Sequence, residues 1–244
     1  MREEPGYEVS EAGQGLEQIW GEGFMSPGGR EEVARILGGV DLTGMAVLDI
    51  GCGLGGPATA LVVDHHADRV VGADVQMGLL ELARARAEKA GLASRLTFEV
   101  VEVGRPLPFL DGAFDVVFSK DAIIHVEDKR GLYQELHRVL RPGGRLLVSD
   151  WLRGAGQNLD AKVEEFIDAA GHAFTMVTLD DLAQIARDAG FVDIETMDRH
   201  AWYLDEARAE REQLPEEERE FWDVLVTTLE FGALRPGHLR ARRP

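Results

Sequence analysis

The chain has 244 residues, 45% hydrophobic and 29% charged, a balance that suits a globular fold with a full core. Its formal net charge of −18, from 26 Lys and Arg against 44 Asp and Glu, opposes a phosphate backbone, so nucleic-acid binding is disfavoured and a small or cationic partner fits better. A single cysteine, Cys52, excludes an internal disulfide and argues against zinc, the absence of an apolar run of about 18 residues argues against a membrane span, and Arg2-Glu3-Glu4-Pro5 is no secretory leader, so the expected setting is the cytoplasm.

Residues 1–44 precede a regular alternation. Strand-like runs at 46–50, 69–74, 95–101, 114–119 and 144–151 alternate with helix-like segments at 54–66, 77–90, 128–140 and 178–189, which predicts an α/β fold with a mostly parallel sheet covered by helices on both faces. Helix 77–90 stops at Ala90-Gly91, and Leu140-Arg141-Pro142-Gly143-Gly144 reads as a turn before the fifth strand. The acidic stretch at 203–231 reads as a solvated helix face, and Gly237–Pro244 as a basic tail or a final edge strand.

The chemistry starts at Val47-Leu48-Asp49-Ile50-Gly51-Cys52-Gly53-Leu54-Gly55-Gly56, an apolar run that ends in four glycines within six residues. Strand, tight turn and helix follow one another there, and the glycines allow positive φ and close backbone approach to a ligand. Cys52 reads as a small turn residue. The second apolar run ends in Asp74, 23 positions after Gly51, where a carboxylate can bind both ribose hydroxyls. These two strands specify an adenosine-type cofactor and leave NAD and S-adenosylmethionine both open.

Val47–Gly56, Asp74, Leu107-Pro108-Phe109, Phe114–Ser119 and Leu140–Gly144, in that order and spacing, resemble the successive motifs of class I S-adenosylmethionine-dependent methyltransferases. Within that class, Phe118-Ser119-Lys120-Asp121-Ala122-Ile123-Ile124-His125-Val126 and Ile19–Gly29 are similar to segments of the phosphoethanolamine N-methyltransferases. The resemblance implies a doubly wound, mostly parallel seven-stranded Rossmann-like sheet with helical lids. Residues 1–44 would form an N-terminal lid, 45–151 the cofactor-binding core, and 152–244 the substrate-lid helices and C-terminal strands completing the same domain.

It further implies S-adenosylmethionine as methyl donor, with Met25 and Ser26 closing over it, Asp49, Gly51 and Gly53 at its methionine part, Asp74 on the ribose, Val75, Glu102 and Val103 around the adenine, and Lys120 nearby. The family's catalytic pair maps onto His125 and, with a one-residue insertion, onto Tyr7. Three departures stand out. Glu102 replaces the family's usual Asp; His172 and Phe174 stand where the family binds phosphate with Arg and Tyr; and a Lys-rich segment before the last strand is missing.

An amine with a pKa of about 10 arrives protonated and must lose a proton before it can attack, a task that suits the imidazole of His125. Outside the motif, the same histidine would read as an ordinary polar residue at a helix start. Asp121 is either a helix N-cap or an attractor for a substrate ammonium. Trp151 ends the fifth strand, where open parallel sheets face their ligand crevice, and could hold a cation over its ring. Arg199, His172 and Phe174 complete the substrate set. The expected activity is methyl transfer to the nitrogen of a small-molecule amine by a monomer or homodimer, with no metal. An O-methyltransferase and a non-catalytic S-adenosylmethionine-binding protein are the alternatives.

Overall fold

The computed structural model describes residues 11–156 and 158–244, with side chains from Leu16 onward. Two helices, α1 (Glu11–Trp20) and α2 (Gly29–Leu37), lead into the alternating unit. That unit runs β1 (Ala46–Ile50), α3 (Gly56–Val63), β2 (Arg69–Asp74), α4 (Met77–Lys89), β3 (Leu96–Val100), β4 (Phe114–Lys120), a 3₁₀ turn (Ile123–His125), α5 (Lys129–Val139) and β5 (Leu140–Asp150). The remainder comprises α6 (Asp160–Ala170), α7 (Leu179–Asp188), β6 (Val192–Asp198), α8 (His200–Gln213), α9 (Glu220–Glu230) and β7 (Gly237–Arg242).

The strands form one sheet in the order β3-β2-β1-β4-β5-β7-β6. The first five are parallel, and β7 runs antiparallel to both β5 and β6. Successive side chains point to opposite faces of a strand, and the central strands use this to bury both faces. Val47, Val116 and Leu147 pack with Val33, Ile36, Leu61 and Leu80 from α2, α3 and α4. Their neighbours Leu48, Val117 and Leu146 pack with Tyr133, Leu136 and Leu182 from α5 and α7 on the other side. The strand order reverses between β1 and β4, and a crevice opens beyond the carboxyl ends of the strands at such a point.

Three sequence expectations change. The acidic stretch at 203–231 is two helices, because Pro215 forces Leu214 into extended backbone and ends α8. The basic C-terminal segment is an interior strand, since β7 lies between β5 and β6. Leu140–Gly144 belongs to β5, with a register shift opposite Phe114 and Val116, where Pro142 has no N–H to give the ladder. Helix α6 and edge strand β6 fall within 152–244, where helices and C-terminal strands were expected without assigned ranges.

Glu32 of α2 is 0% exposed and joins three elements. Its carboxylate accepts from Arg199 Nη2 at 2.8 Å and meets His238 Nε2 of β7 at 2.7 Å. Burial pushes its pKa up, but these two partners outweigh burial and hold it below the ordinary value. The resulting stability is present above a pH of about 4.5 and is lost as pH falls through the lower folded-state value. Glu32→Ala should cost about 3–5 kcal/mol in urea unfolding at pH 7, because it strands a buried guanidinium; a loss below about 1 kcal/mol would show that the cluster is not a structural joint.

Candidate active site at the glycine turn

The glycine turn is shaped by what touches it. Gly51 has φ 71°, and a side chain there would place Cβ 2.1 Å from Cβ of Ala122, so the turn lies directly against the segment that follows β4. The Gly56 N–H donates to Gly23 O at 3.0 Å, and a Cβ on either glycine would strike the other's backbone. The N-terminal segment is thereby docked onto the turn, with Met25 Sδ facing Gly53 and the Lys120 ammonium hydrogen-bonded to Ser26.

Two carboxylates flank the turn. Asp74 accepts from the Gly53 N–H at 2.9 Å and from the Gln76 N–H at 3.0 Å, while burial raises its pKa. Asp49 is 1% exposed, and neither oxygen has a hydrogen-bond partner among the described residues. Burial, with the nearby Asp74 charge, drives its carboxyl well above the ordinary range. Further out, Val75 is 49% and Val103 71% exposed, and Glu102 meets Arg105 at 3.8 Å on the surface. An apolar edge of this kind can take the face of a flat ring.

Past β4 the chain turns sharply at Asp121, a non-glycine residue with φ 55°. It does not cap the 3₁₀ turn, whose N-cap is Ala122. Its carboxylate instead accepts from Lys120 Nζ at 3.0 Å, Ser149 Oγ at 2.7 Å and Tyr203 OH at 3.1 Å. Asp121 is thus fully engaged, and Lys120 balances its charge. Ser149 and Tyr203 were not anticipated; Tyr203 lies in the acidic stretch that read as a solvated face, and its only sequence signal is the Trp202-Tyr203 pair.

His125 closes the 3₁₀ turn. Lys129 Nζ donates to Ile123 O at 2.7 Å and Val126 O at 2.9 Å, and Asp150 Oδ1 accepts from the Ile124 N–H at 3.1 Å. Burial drives the pKa of Asp150 up, to about 8, and that of Lys129 down. The imidazole itself is exposed at the crevice. The surrounding protein, then His172, then Lys129, lower its pKa to about 4, so its ring is neutral at physiological pH.

Aromatic rings surround this turn. His125 meets Phe174 edge-on at 5.0 Å between centroids and His172 at 6.0 Å. Phe174 stacks on Phe166 at 5.8 Å, Phe166 on Trp151 at 6.2 Å, and Trp151 meets the edge of Tyr203 at 4.9 Å. Trp151, His172, Phe174, Asp121 and His125 are therefore brought together. Arg199 is not: it pairs with Glu32 and lies over the Trp202 ring at 4.6 Å. Tyr7 lies outside the described residues. No helix among the described residues is long and apolar enough to cross a membrane, and no group of three or more His, Cys, Asp and Glu among them could hold a metal ion.

A family model described as a methyltransferase domain matches residues 41–208. Phosphoethanolamine N-methyltransferase 1 of Arabidopsis thaliana is 31% identical over 206 residues, which span 84% of this chain and 40% of that relative. The chain thus spans less than half of that relative's length. Phosphoethanolamine N-methyltransferase 2 of Haemonchus contortus, solved with phosphomonomethylethanolamine and S-adenosylhomocysteine, superposes with a TM-score of 0.82 at 28% identity, covering 94% of this chain and 56% of that one. Geranyl diphosphate C-methyltransferase of Streptomyces coelicolor A3(2) shares the fold, with a TM-score of 0.78 at 14% identity over 98% of this chain and 94% of that one.

One acid of the stretch expected to be solvated is buried. Glu210 accepts from the indole N–H of Trp20, joining α8 to α1, while burial and then the Glu206 charge raise its pKa to about 7. Ionising it inside the fold opposes folding, so stability should fall as pH rises from about 4.5 to about 7. Glu210→Gln removes that dependence. Scanning calorimetry should show the variant gaining roughly 2–4 °C relative to wild type at pH 8 over pH 5, the shift that about 1 kcal/mol gives in a chain of this size. An equal difference at both pH values would refute the assignment.

Proposed function

From the premise that the chain belongs to the methyltransferase-domain family, matched over residues 41–208, we propose that it transfers a methyl group from S-adenosylmethionine to the nitrogen of a small amine. The observation that carries the reading is the contact of Gly51 with Ala122. It joins the turn suited to the donor to the segment bearing His125, so donor and acceptor groups sit on two adjoining pieces of backbone.

The residues suit the donor. Asp49 offers a buried carboxyl without a partner among the described residues, a state that a cationic amino group relieves. Asp74 would take the ribose hydroxyls, with Gly51 and Gly53 at the methionine part, Val75, Glu102 and Val103 at the adenine, and Met25, Ser26 and Lys120 closing the near side. When bound, S-adenosylmethionine supplies a methyl carbon activated by its sulfonium.

The protein's own task is placement. The attacking nitrogen forms a bond to the methyl carbon as the carbon–sulfur bond breaks toward sulfur, and the nitrogen sheds one proton. Holding nitrogen, carbon and sulfur in line, about 3–3.5 Å apart before reaction, supplies much of the rate. His125 presents a neutral ring that can accept an N–H. A proton passing from an ammonium of pKa about 10 to an imidazole near 4 climbs about six pKa units. His125 therefore orients the nitrogen rather than taking the proton to itself, and the proton passes to water once the aromatic side chains have desolvated the ammonium and lowered its pKa.

Two measurements test this reading. His125→Ala should lower kcat by roughly 10²–10⁴-fold while S-adenosylhomocysteine affinity by calorimetry stays within about twofold; unchanged turnover removes His125 from the reaction, and turnover confined to phenols moves the acceptor from nitrogen to oxygen. Asp74→Ala should weaken S-adenosylhomocysteine binding by roughly 10–100-fold, as the loss of charge-assisted hydrogen bonds predicts, and undiminished affinity would show that the ribose lies elsewhere.

A further inference from the structure

The contacts around His125 form a circuit. Asp121 binds the hydroxyl of Tyr203, the Tyr203 ring meets Trp151, Trp151 stacks on Phe166, Phe166 on Phe174, and Phe174 meets His125, four residues on from Asp121. Trp151–Phe166 and Phe166–Phe174 lie within 25° and 23° of parallel, so Phe166, 4% exposed, backs the rings of Trp151 and Phe174 from inside the fold. Trp151 and Phe174 are half-buried and present ring surface to the crevice. Phe221 extends this group of rings at 6.0 Å from Phe166.

A phosphate group would need cations there, and among the described residues the lysines and arginines of the neighbouring segments each already have a partner. Lys120 is bonded to Ser26 and Asp121, and Lys129 to two backbone carbonyls. Arg153 pairs with Asp160, Lys162 with Glu165, Arg199 with Glu32 and Arg208 with Glu230. Freeing Arg199 would leave Glu32 buried with one partner fewer, a loss that binding an exposed phosphate does not offset. Flat rings, by contrast, favour an aromatic body stacked or edge-on, and their faces attract a cation.

We propose that the acceptor is a primary or secondary amine whose body is an aromatic ring lying against Trp151 and Phe174, with its nitrogen toward His125, and that phosphorylated amines are poor ligands. The proposal rests on the amine-methylation reading of this site. It is tested by binding, which does not depend on turnover. Calorimetric titration of the protein saturated with S-adenosylhomocysteine should show 2-phenylethylamine binding at least tenfold more tightly than phosphoethanolamine.

Phe174→Ala should weaken 2-phenylethylamine about tenfold while S-adenosylhomocysteine affinity, which reports that the fold is intact, stays unchanged. Phe174→Arg should narrow or invert the preference by placing a cation among the rings. Equal or tighter binding of phosphoethanolamine by the wild-type protein, or no binding of either amine, overturns the proposal. Turnover of the same two amines separates the two claims: 2-phenylethylamine that binds but is not methylated supports the binding site and counts against the amine-methylation reading, whereas phosphoethanolamine that both binds more tightly and is methylated does the reverse.

Discussion

The arrangement depends on backbone approaching backbone at the glycine turn. Gly56 receives the carbonyl of Gly23 where neither residue could carry a side chain, and Gly51 receives Ala122 in the same manner. These contacts bring the N-terminal segment, the turn after β1 and the segment after β4 into one packed unit. Because the strand order reverses between β1 and β4, the unit sits where helices diverge to the two faces of the sheet and leave space above the strand ends. Met25, Ser26, Lys120 and His125 converge on the crevice because their backbones are bound to that turn, although nearly a hundred residues separate the first two from the last two.

Charge is distributed unevenly across this crevice. On the turn side, Asp49 has no partner among the described residues and Asp74 has two backbone donors, and burial raises the pKa of both. On the opposite side, Asp121 is saturated by Lys120, Ser149 and Tyr203. Buried carboxyl groups that a cation would help to ionise therefore lie on one side and apolar ring surface on the other. Under the proposed reaction this division suits a cationic donor held by carboxylates and an acceptor amine held by ring faces, where a low dielectric favours the neutral, nucleophilic form.

Much of this was legible in the sequence. The five parallel strands announced themselves as apolar runs that end in glycine, acid or turn residues, because strands buried on both faces read as continuous apolar stretches. Asp74 was read from the end of its own strand, whereas Met25, Ser26, Lys120 and His125 were singled out by the resemblance of their segments; the structure brings them close to the turn. What escaped depends on pairing between distant segments. Tyr203 and Glu210 sit among acids that suggest a solvated helix, and only the packing of α8 against α1 and β5 shows that they face inward. Arg199 read as a ligand for a substrate because nothing near it in sequence discloses Glu32, 167 positions away. The segment 140–144 read as a turn from its Pro and Gly, although β4 recruits Leu140 into the sheet.

The buried pair beneath His125 shows how such a site trades stability for placement. Lys129 and Asp150 are both almost wholly buried, and burial opposes the charged form of each, raising the pKa of the carboxyl and lowering that of the ammonium; keeping either charged there costs several kcal/mol even after relaxation. Hydrogen bonds to charged groups return about 1.5–3 kcal/mol apiece. Lys129 makes two to the carbonyls of Ile123 and Val126, while Asp150 takes the N–H groups of Ile124 and Trp151. The sum leaves little net gain, and an apolar pair of similar size would serve folding as well. What such a pair could not do is bond the carbonyls of Ile123 and Val126 and the N–H of Ile124 in and beside the 3₁₀ turn. With those groups held from below by β5 and α5, the turn keeps its shape, and His125 is presented on a fixed arm at the mouth of the crevice with its ring directed toward Phe174.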